Sequence, residues 1–324
     1  MKRILGTLVK AGISLGLIAL FLDRISWSDI REAASTADWR CLVLAVILFT
    51  LSNLLGAIQW GVLLRQQAIH LPVRELVTLY FVGVFFNNFM VGNIGGDAVR
   101  VYDLKRLTGK GVSGFAATFL DRFIGLFVLI LFSAIAFAAS GHLWSVSIGL
   151  PILALSVGLL GILSFGFSRR LSIRLLGIAE KVLPNRVISL LEDIRQAFLT
   201  YRHAYGVVIR VGCVAVGVQV CRIAVYYSTS LALGQDVSFL HFLVFIPLIA
   251  IVAAVPISFG GIGVREQMGA LLFGQVGVEP ATALAMMFLG YLAGILASLF
   301  GGIVFVLRGP GARSVGENFQ EQAN

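Results

Sequence analysis

Long apolar runs are the feature that most constrains the fold of this chain. Six of them are long enough to cross about 30 Å of hydrocarbon as helices. They cover residues 4–22, 41–64, 112–138, 143–167, 207–233 and 280–306. Only 13% of the 324 residues are charged and 58% are hydrophobic, whereas soluble domains carry about 25% charged residues. The sequence predicts an all-α, polytopic membrane helical bundle and excludes an ordinary soluble enzyme.

The loop charges orient these predicted spans. Segment 168–206 carries seven arginine and lysine residues, and segment 100–110 carries four, whereas loops 139–142 and 234–238 carry none. Positive loops stay on the cytoplasmic side of a membrane, so the first two segments are predicted to be cytoplasmic. Both chain termini are predicted to be cytoplasmic as well. The run 4–22 is interpreted as an uncleaved first span, because no small-residue cleavage site follows it.

Two further apolar stretches do not fit full crossings. Residues 75–99 lie between segments 65–74 and 100–110, which both carry positive charges and are both predicted to be cytoplasmic. By the same reasoning, residues 239–276 are predicted to begin and end on the outer side. Each is therefore predicted to be a re-entrant hairpin with a broken helix, which requires shielding by protein or a water-filled cavity. The alternative is that both hairpins cross fully, which gives eight spans.

An internal repeat supports the hairpins. The pattern G-G-x-x-V-R occurs at 95–100 and again 165 positions later, at 260–265. At this offset 41–64 falls on 206–229 and 112–138 falls on 277–303, and both counterparts are apolar spans. Each half therefore reads span, span, hairpin, span. Each half crosses the membrane three times, which is an odd number, so the second half starts on the opposite side and is an inverted copy of the first. In transporters with such inverted-topology repeats, substrate sites lie near the membrane midplane at broken helices.

The predicted organisation is one membrane domain with a short tail. Its parts are a membrane domain at 1–310, repeats at about 1–139 and 140–310, a cytoplasmic amphipathic segment at 168–206, and a polar tail at 311–324.

Ionisable residues inside apolar spans are candidates for function, since each costs about 2.5–3.5 kcal/mol to insert at the membrane centre. Asp121, Arg122 and Arg222 lie within spans, and further charges flank the two glycine breaks. Asp121 and Arg122 are neighbours and point about 100° apart on a helix. Arg222 has no acidic neighbour in sequence, so it either pairs with Asp121 or meets an anionic ligand.

The glycine breaks are the sharpest signal. Glycine pairs let the chain turn, and the following helix start offers a positive dipole end to an anion; tight helix packing is the alternative reading. The predicted substrate-binding residues are Gly95, Gly96, Arg100, Arg222, Gly260, Gly261 and Arg265. The residues predicted to balance charge or to bind a proton are Asp97, Asp121, Arg122 and Glu266.

The sequence contains no recognisable motif for nucleotide binding, metal binding or cysteine chemistry. Gly109-Lys110-Gly111 is not a P-loop, and the four histidines have no metal-ligand spacing. The three cysteines form no CxxC pair and are interpreted as packing residues. No cofactor, metal or nucleic acid is expected, because lipid and topology explain the net charge of +9.

These motifs carry a family resemblance. Residues 93–100, the pair Asp121-Arg122, and residues 256–266 together resemble the lysylphosphatidylglycerol synthase/flippase transmembrane family. The resemblance implies a bacterial or archaeal integral membrane protein, here assigned to the bacterial inner membrane. In the best-known members this region is a lipid flippase. The soluble aminoacyl-transferase domain of the synthase is absent from the sequence, so no enzymatic activity is expected.

The leading hypothesis is a translocase (flippase) for a lipid with an anionic, phosphate-bearing headgroup, which works by alternating access at the broken helices. One alternative is a secondary transporter of a small anionic solute. Another is a non-transporting membrane partner of a lipid-modifying glycosyltransferase. The expected partners are anionic membrane lipids, with a second copy of the chain or a membrane enzyme as further candidates.

Overall fold

The structure is a computed structural model that describes residues 37–89, 95–139, 146–167, 204–254 and 263–307, together with isolated positions between 174 and 201. All regular elements in these ranges are α-helices. We number them α1 (Trp39–Gln66), α2 (Val73–Phe89), α3 (Gly95–Thr108), α4 (Gly111–Ala139), α5 (Val146–Phe167), α6 (Tyr205–Ala232), α7 (Phe239–Ala253), α8 (Val264–Gly274) and α9 (Pro280–Leu307). The prediction of an all-helical membrane fold is confirmed.

Four of the described helices, α1, α4, α6 and α9, are long and apolar enough to cross a membrane. They coincide with four of the six predicted spans. The predicted span at 143–167 corresponds to α5, whose apolar stretch Gly149–Ile162 is shorter. The predicted span at 4–22 and most of the segment 168–206 lie outside the described residues.

The two predicted hairpins each contain two short helices. Helices α2 and α7 have 17 and 15 residues, fewer than the roughly 20 that a spanning helix needs. Helix α8 begins after Gly263, whose φ of +81° suits glycine. Its start is closed by Glu266, which accepts a hydrogen bond from the N–H of Gly263 at 2.6 Å.

Helices α1 and α6 pack against each other and run antiparallel. At one end, the N–H of Asp38 donates to the carbonyl of Ala232 at 2.8 Å. At the other end, the Tyr201 hydroxyl donates to the carbonyl of Leu63 at 2.9 Å. The start of α1 therefore lies beside the end of α6, and the end of α1 lies beside the segment that precedes α6.

The order long, short, short, long occurs twice, in α1–α4 and in α6–α9. The helix contacts repeat in the same way. Helix α2 packs on α9 as α7 packs on α4, and α1 packs on α4 as α6 packs on α9. Four further contacts repeat in this way. Within the halves, α2·α3 corresponds to α7·α8, α3·α4 to α8·α9, and α1·α2 to α6·α7. Between the halves, α1·α9 corresponds to α6·α4.

The apolar core contains two large clusters, and each includes residues of both halves. One joins residues of α1, α2, α3 and α4 around Trp60 and Leu79 with Val211 and Ala215 of α6. The other joins the end of α4 with α6, α7, α8 and α9 around Phe245 and Met286. A polar cavity lies where the two halves meet.

Candidate functional site

The candidate site is a cavity of about 240 Å³ near the middle of the long helices. One part of its wall is polar and comes from α1, α2, α3 and α4. The opposite part is mostly apolar and includes Leu126, Leu129, Val218, Ile246 and Ile249. The cavity is therefore amphipathic, with carboxylates on α3 and α4 and arginines on α3, α4, α6 and α8.

A buried ion pair anchors the polar side. Arg100 and Asp121 are 3% and 7% exposed, and Nη2 of Arg100 lies 3.3 Å from Oδ2 of Asp121. The other carboxylate oxygen accepts a hydrogen bond from Nε2 of Gln59 at 2.9 Å. Because both partners are desolvated, their charges must be matched within the protein.

Two aromatic rings contact the guanidinium of Arg100. Its Cζ lies 4.6 Å from the ring centre of Trp60 and 4.9 Å from that of Tyr80. These distances are typical of cation–π contacts. Arg100 is therefore fixed by α1, α2 and α4 at once.

Asp97 is shared between two arginines. Its Oδ1 lies 3.4 Å from Nη2 of Arg100 and accepts a hydrogen bond from Asn87 at 3.5 Å. Its Oδ2 accepts a hydrogen bond from Nε of Arg122 at 2.6 Å. The Arg122 side chain is 44% exposed, so this second ion pair reaches the open part of the site.

The neighbours Asp121 and Arg122 thus bind different partners, Arg100 and Asp97, which both lie on α3. The alternative pairing of Asp121 with Arg222 is not formed. The basic partner of Asp121 was open from the sequence alone, because helix rotation decides which side chain it meets.

Arg222 lines the same cavity from α6. Its Nε is buried, and no group in the part of the chain that the structure describes accepts a hydrogen bond from it. The described residues also provide no ion-pair partner for it. The hydroxyl of Tyr80 lies within electrostatic range of Arg222, as it does of Arg100, Arg122 and Asp121. Arg222 therefore adds positive charge to a cluster whose other members are paired.

The second glycine break brings Arg265 to the cavity. Arg265 lies in the first turn of α8, lines the cavity, and has its Cζ 4.6 Å from the ring centre of Tyr291 on α9. Its neighbour Glu266 closes the start of α8, as described above. Gly260 and Gly261 lie outside the described residues, so their predicted role stays a prediction.

The first glycine break packs tightly against α2. Gly95 and Gly96 form the first turn of α3, and the N–H of Gly96 donates to Oδ1 of Asn87 at 2.8 Å. A Cβ at Gly96 would overlap the carbonyl oxygen of Gly83. Gly96 thus has a packing role here, and binding of substrate by this pair stays a prediction.

The sequence reasoning missed several polar residues that complete the site. Gln59, Tyr80, Asn87 and Gln219 line the cavity, and Trp60 supports Arg100. The signal that could have found three of them is an amide within an apolar run, because such side chains hydrogen-bond between helices in a membrane. Gln219 on α6 forms such an interhelical hydrogen bond, because its Nε2 donates to the carbonyl of Gly125 on α4 at 3.2 Å.

The chain is similar to known membrane proteins, and the alignments extend over most of its length. A UPF0104 membrane protein of Pyrococcus horikoshii is 25% identical and aligns with 94% of this chain and 96% of its own length. Two UPF0104 membrane proteins of Methanothermobacter thermautotrophicus are similar at 23% and 22% identity. The first of these alignments covers 84% of this chain and 87% of the relative, and the second covers 94% and 92%.

Residues 7–302 match the family described as the lysylphosphatidylglycerol synthase TM region. This match confirms the resemblance drawn from the two glycine motifs. It is a match to the membrane region of the synthase, in agreement with the prediction that the chain is not an enzyme. With its long apolar helices and this extent of similarity, the chain is a multi-pass membrane protein that belongs to the lysylphosphatidylglycerol synthase transmembrane-region family.

Proposed function

We propose that the protein is a lipid translocase that moves a lipid with an anionic, phosphate-bearing headgroup between the two leaflets. The observation that carries this proposal is Arg222, a guanidinium in a membrane-level cavity whose Nε has no partner among the described residues. A buried unpaired charge is costly. An anionic ligand would compensate it, and a guanidinium suits phosphate through bidentate hydrogen bonds.

The charge balance of the cavity supports an anion. Four arginines and two aspartates line it, Arg100, Arg122, Arg222 and Arg265 against Asp97 and Asp121. Adding Glu266, the neighbour of Arg265, still leaves four positive and three negative groups. A headgroup with net negative charge would neutralise the excess.

The size and the walls of the cavity support a lipid. A volume of about 240 Å³ is below the roughly 300–1,000 Å³ of sites for drug-sized ligands. It suits a headgroup whose chains remain in the bilayer. The apolar wall formed by α4, α6 and α7 would face the first carbon atoms of those chains.

The repeated helix contacts support an inverted-topology repeat. The long helices α1 and α6, equivalent in the two halves, run antiparallel, and each contact between helices of one half has its counterpart in the other. In this arrangement α2–α3 and α7–α8 are re-entrant hairpins that enter from opposite sides. We place α2–α3 on the cytoplasmic side of a prokaryotic cytoplasmic membrane, because the adjoining loops are positively charged.

In the proposed mechanism the headgroup binds near the midplane while the two halves move against each other, so that the cavity opens to one leaflet at a time. Arg222 binds the phosphate while the cavity changes its opening from one leaflet to the other. The ion pairs between α3 and α4 make the cavity polar, and because their charges compensate each other they add no uncompensated buried charge. The proposed partners are membrane lipids.

The proposal is tested with the purified chain in liposomes that contain acyl-labelled phosphatidylglycerol or phosphatidylcholine and a membrane-impermeant quencher. We expect the inner-leaflet pool of phosphatidylglycerol to become accessible, and this acceleration to be lost in Arg222→Ala. Arg210→Ala is the matched control, because Arg210 is an exposed arginine on the same helix.

Three results would contradict the proposal. One is acceleration that persists in a folded Arg222→Ala protein. Another is uptake of inorganic phosphate without any lipid movement, which would identify a solute transporter. A third is the absence of both activities together with co-purification of a glycosyltransferase, which would identify a partner protein.

A further inference from the structure

Asp97 occupies the cavity in the way that a bound phosphate would. It is an anion that contacts a cavity-lining guanidinium, with 2.6 Å between its Oδ2 and Nε of Arg122. We propose that Asp97 is an internal competitor of the substrate: the headgroup phosphate displaces it from Arg122 and thereby removes one of the two ion pairs that join α3 to α4. This inference rests on the proposed function and deepens it.

Arg100 does not take part in this exchange. It is 3% exposed, lies between the rings of Trp60 and Tyr80, and pairs with the buried Asp121. Removing it from Asp121 would leave two desolvated charges uncompensated. Arg100 is therefore a fixed positive centre that positions both aspartates.

Arg122 has the opposite properties. Its side chain is 44% exposed, and its bond to Asp97 runs through Nε. It lies on α4, which contacts α6 through the hydrogen bond from Gln219 to Gly125. Arg222 lies one turn beyond Gln219 on α6. A phosphate in the cavity would thus meet guanidinium groups from two adjacent helices.

Asp97 keeps partners after this displacement. Its Oδ1 still faces Arg100 at 3.4 Å and Asn87 at 3.5 Å. The carboxylate would therefore remain compensated, and the exchange would replace one charge-assisted hydrogen bond by another. An exchange of this kind costs far less than breaking an ion pair without replacement.

The exchange couples binding to movement. Asp97 lies in the first turn of α3, so its bond to Arg122 ties the α2–α3 hairpin to the long helix α4. Once a headgroup occupies Arg122, this tie is lost, and the buried Arg100–Asp121 ion pair remains as the other link between α3 and α4. A headgroup without net negative charge gains less from Arg122, so the same competition favours anionic lipids.

The test measures binding to the purified full-length chain in detergent by titration calorimetry, with dihexanoyl phosphatidylglycerol as the probe. We expect Asp97→Asn to lower the Kd about tenfold, because the neutral amide is a weaker competitor for Arg122. Asp103→Asn is the matched control, since it removes a carboxylate from the same helix outside the cavity. Dihexanoyl phosphatidylcholine should gain less from Asp97→Asn.

A double-mutant cycle separates competition from a structural effect. In an Arg122→Gln background, Asp97→Asn should no longer lower the Kd, because the group for which Asp97 competes is gone. An unchanged or higher Kd in folded Asp97→Asn, while the wild-type chain binds the probe, would overturn this inference and leave the proposed function standing. A wild-type chain that binds neither this probe nor inorganic phosphate would overturn both.

Discussion

At the scale of single residues, the four cavity arginines differ because their partners differ. Arg100 is buried, stacked on two rings and matched by carboxylates. Arg122 is exposed and bound to Asp97, whereas the buried Nε of Arg222 has no partner within the described residues. The first arginine therefore stabilises the fold, and the last is available to a ligand.

Replacing Arg100 by Met is expected to destabilise the protein by about 3–5 kcal/mol, because it leaves the buried Asp121 carboxylate without its cation. Denaturant unfolding in detergent measures this loss. Arg222→Met is the comparison, and it should leave stability nearly unchanged, since in the described residues its Nε has no hydrogen bond to lose. Equal effects of the two substitutions would contradict this division of roles.

At the scale of helices, close backbone contact at glycine determines how α2 packs. A Cβ at Gly96 on α3 would overlap the carbonyl oxygen of Gly83, and a Cβ at Gly301 on α9 would overlap that of Phe81. Helix α2 is thus held between α3 and α9 by two backbone contacts. Small residues allow this approach in membrane bundles.

Gly96→Ala is expected to cost about 1–3 kcal/mol of stability, because the clash is with backbone atoms that cannot rotate away. The matched control is Gly212→Ala on α6, where a Cβ meets nothing within 4 Å. That control should be neutral or stabilising by up to about 1 kcal/mol. Thermal unfolding in detergent compares the two, and a tolerated Gly96→Ala would argue against the tight α2–α3 contact.

The sequence predicted the helices better than their pairings. The apolar runs at 41–64, 112–138, 207–233 and 280–306 became α1, α4, α6 and α9, because length and hydropathy alone define such segments. The acidic partner of Arg100 could not be predicted. A helix turns about 100° per residue. The rotation that brings Asp121 to Arg100 is set by helix packing, which includes contacts between residues far apart in the chain such as Gln59 and Asp121.

At the scale of the whole molecule, the two halves share their contacts but not their charges. Arg100 and Arg265 occupy the same position of the G-G-x-x-V-R pattern. Arg100 meets two aspartates, whereas Arg265 lies over Tyr291 on α9. A symmetric scaffold thus carries an asymmetric site, in which the carboxylates and their ion pairs lie on α3 and α4, whereas the other half contributes Arg222 and Arg265.

The proposed inverted-topology arrangement predicts which side of the membrane each end of the proposed hairpins faces. In a background with Cys41, Cys213 and Cys221 replaced by Ser, single cysteines at four exposed positions would report this: Gln66→Cys and Arg106→Cys flank α2–α3, and Asp236→Cys and Gln275→Cys flank α7–α8. A membrane-impermeant thiol reagent should label the first two only from the cytoplasmic side and the last two only from the outside. If either hairpin crossed the membrane, its two ends would label from opposite sides. If both crossed, each half would contain an even number of crossings, and the two halves could then no longer be inverted copies.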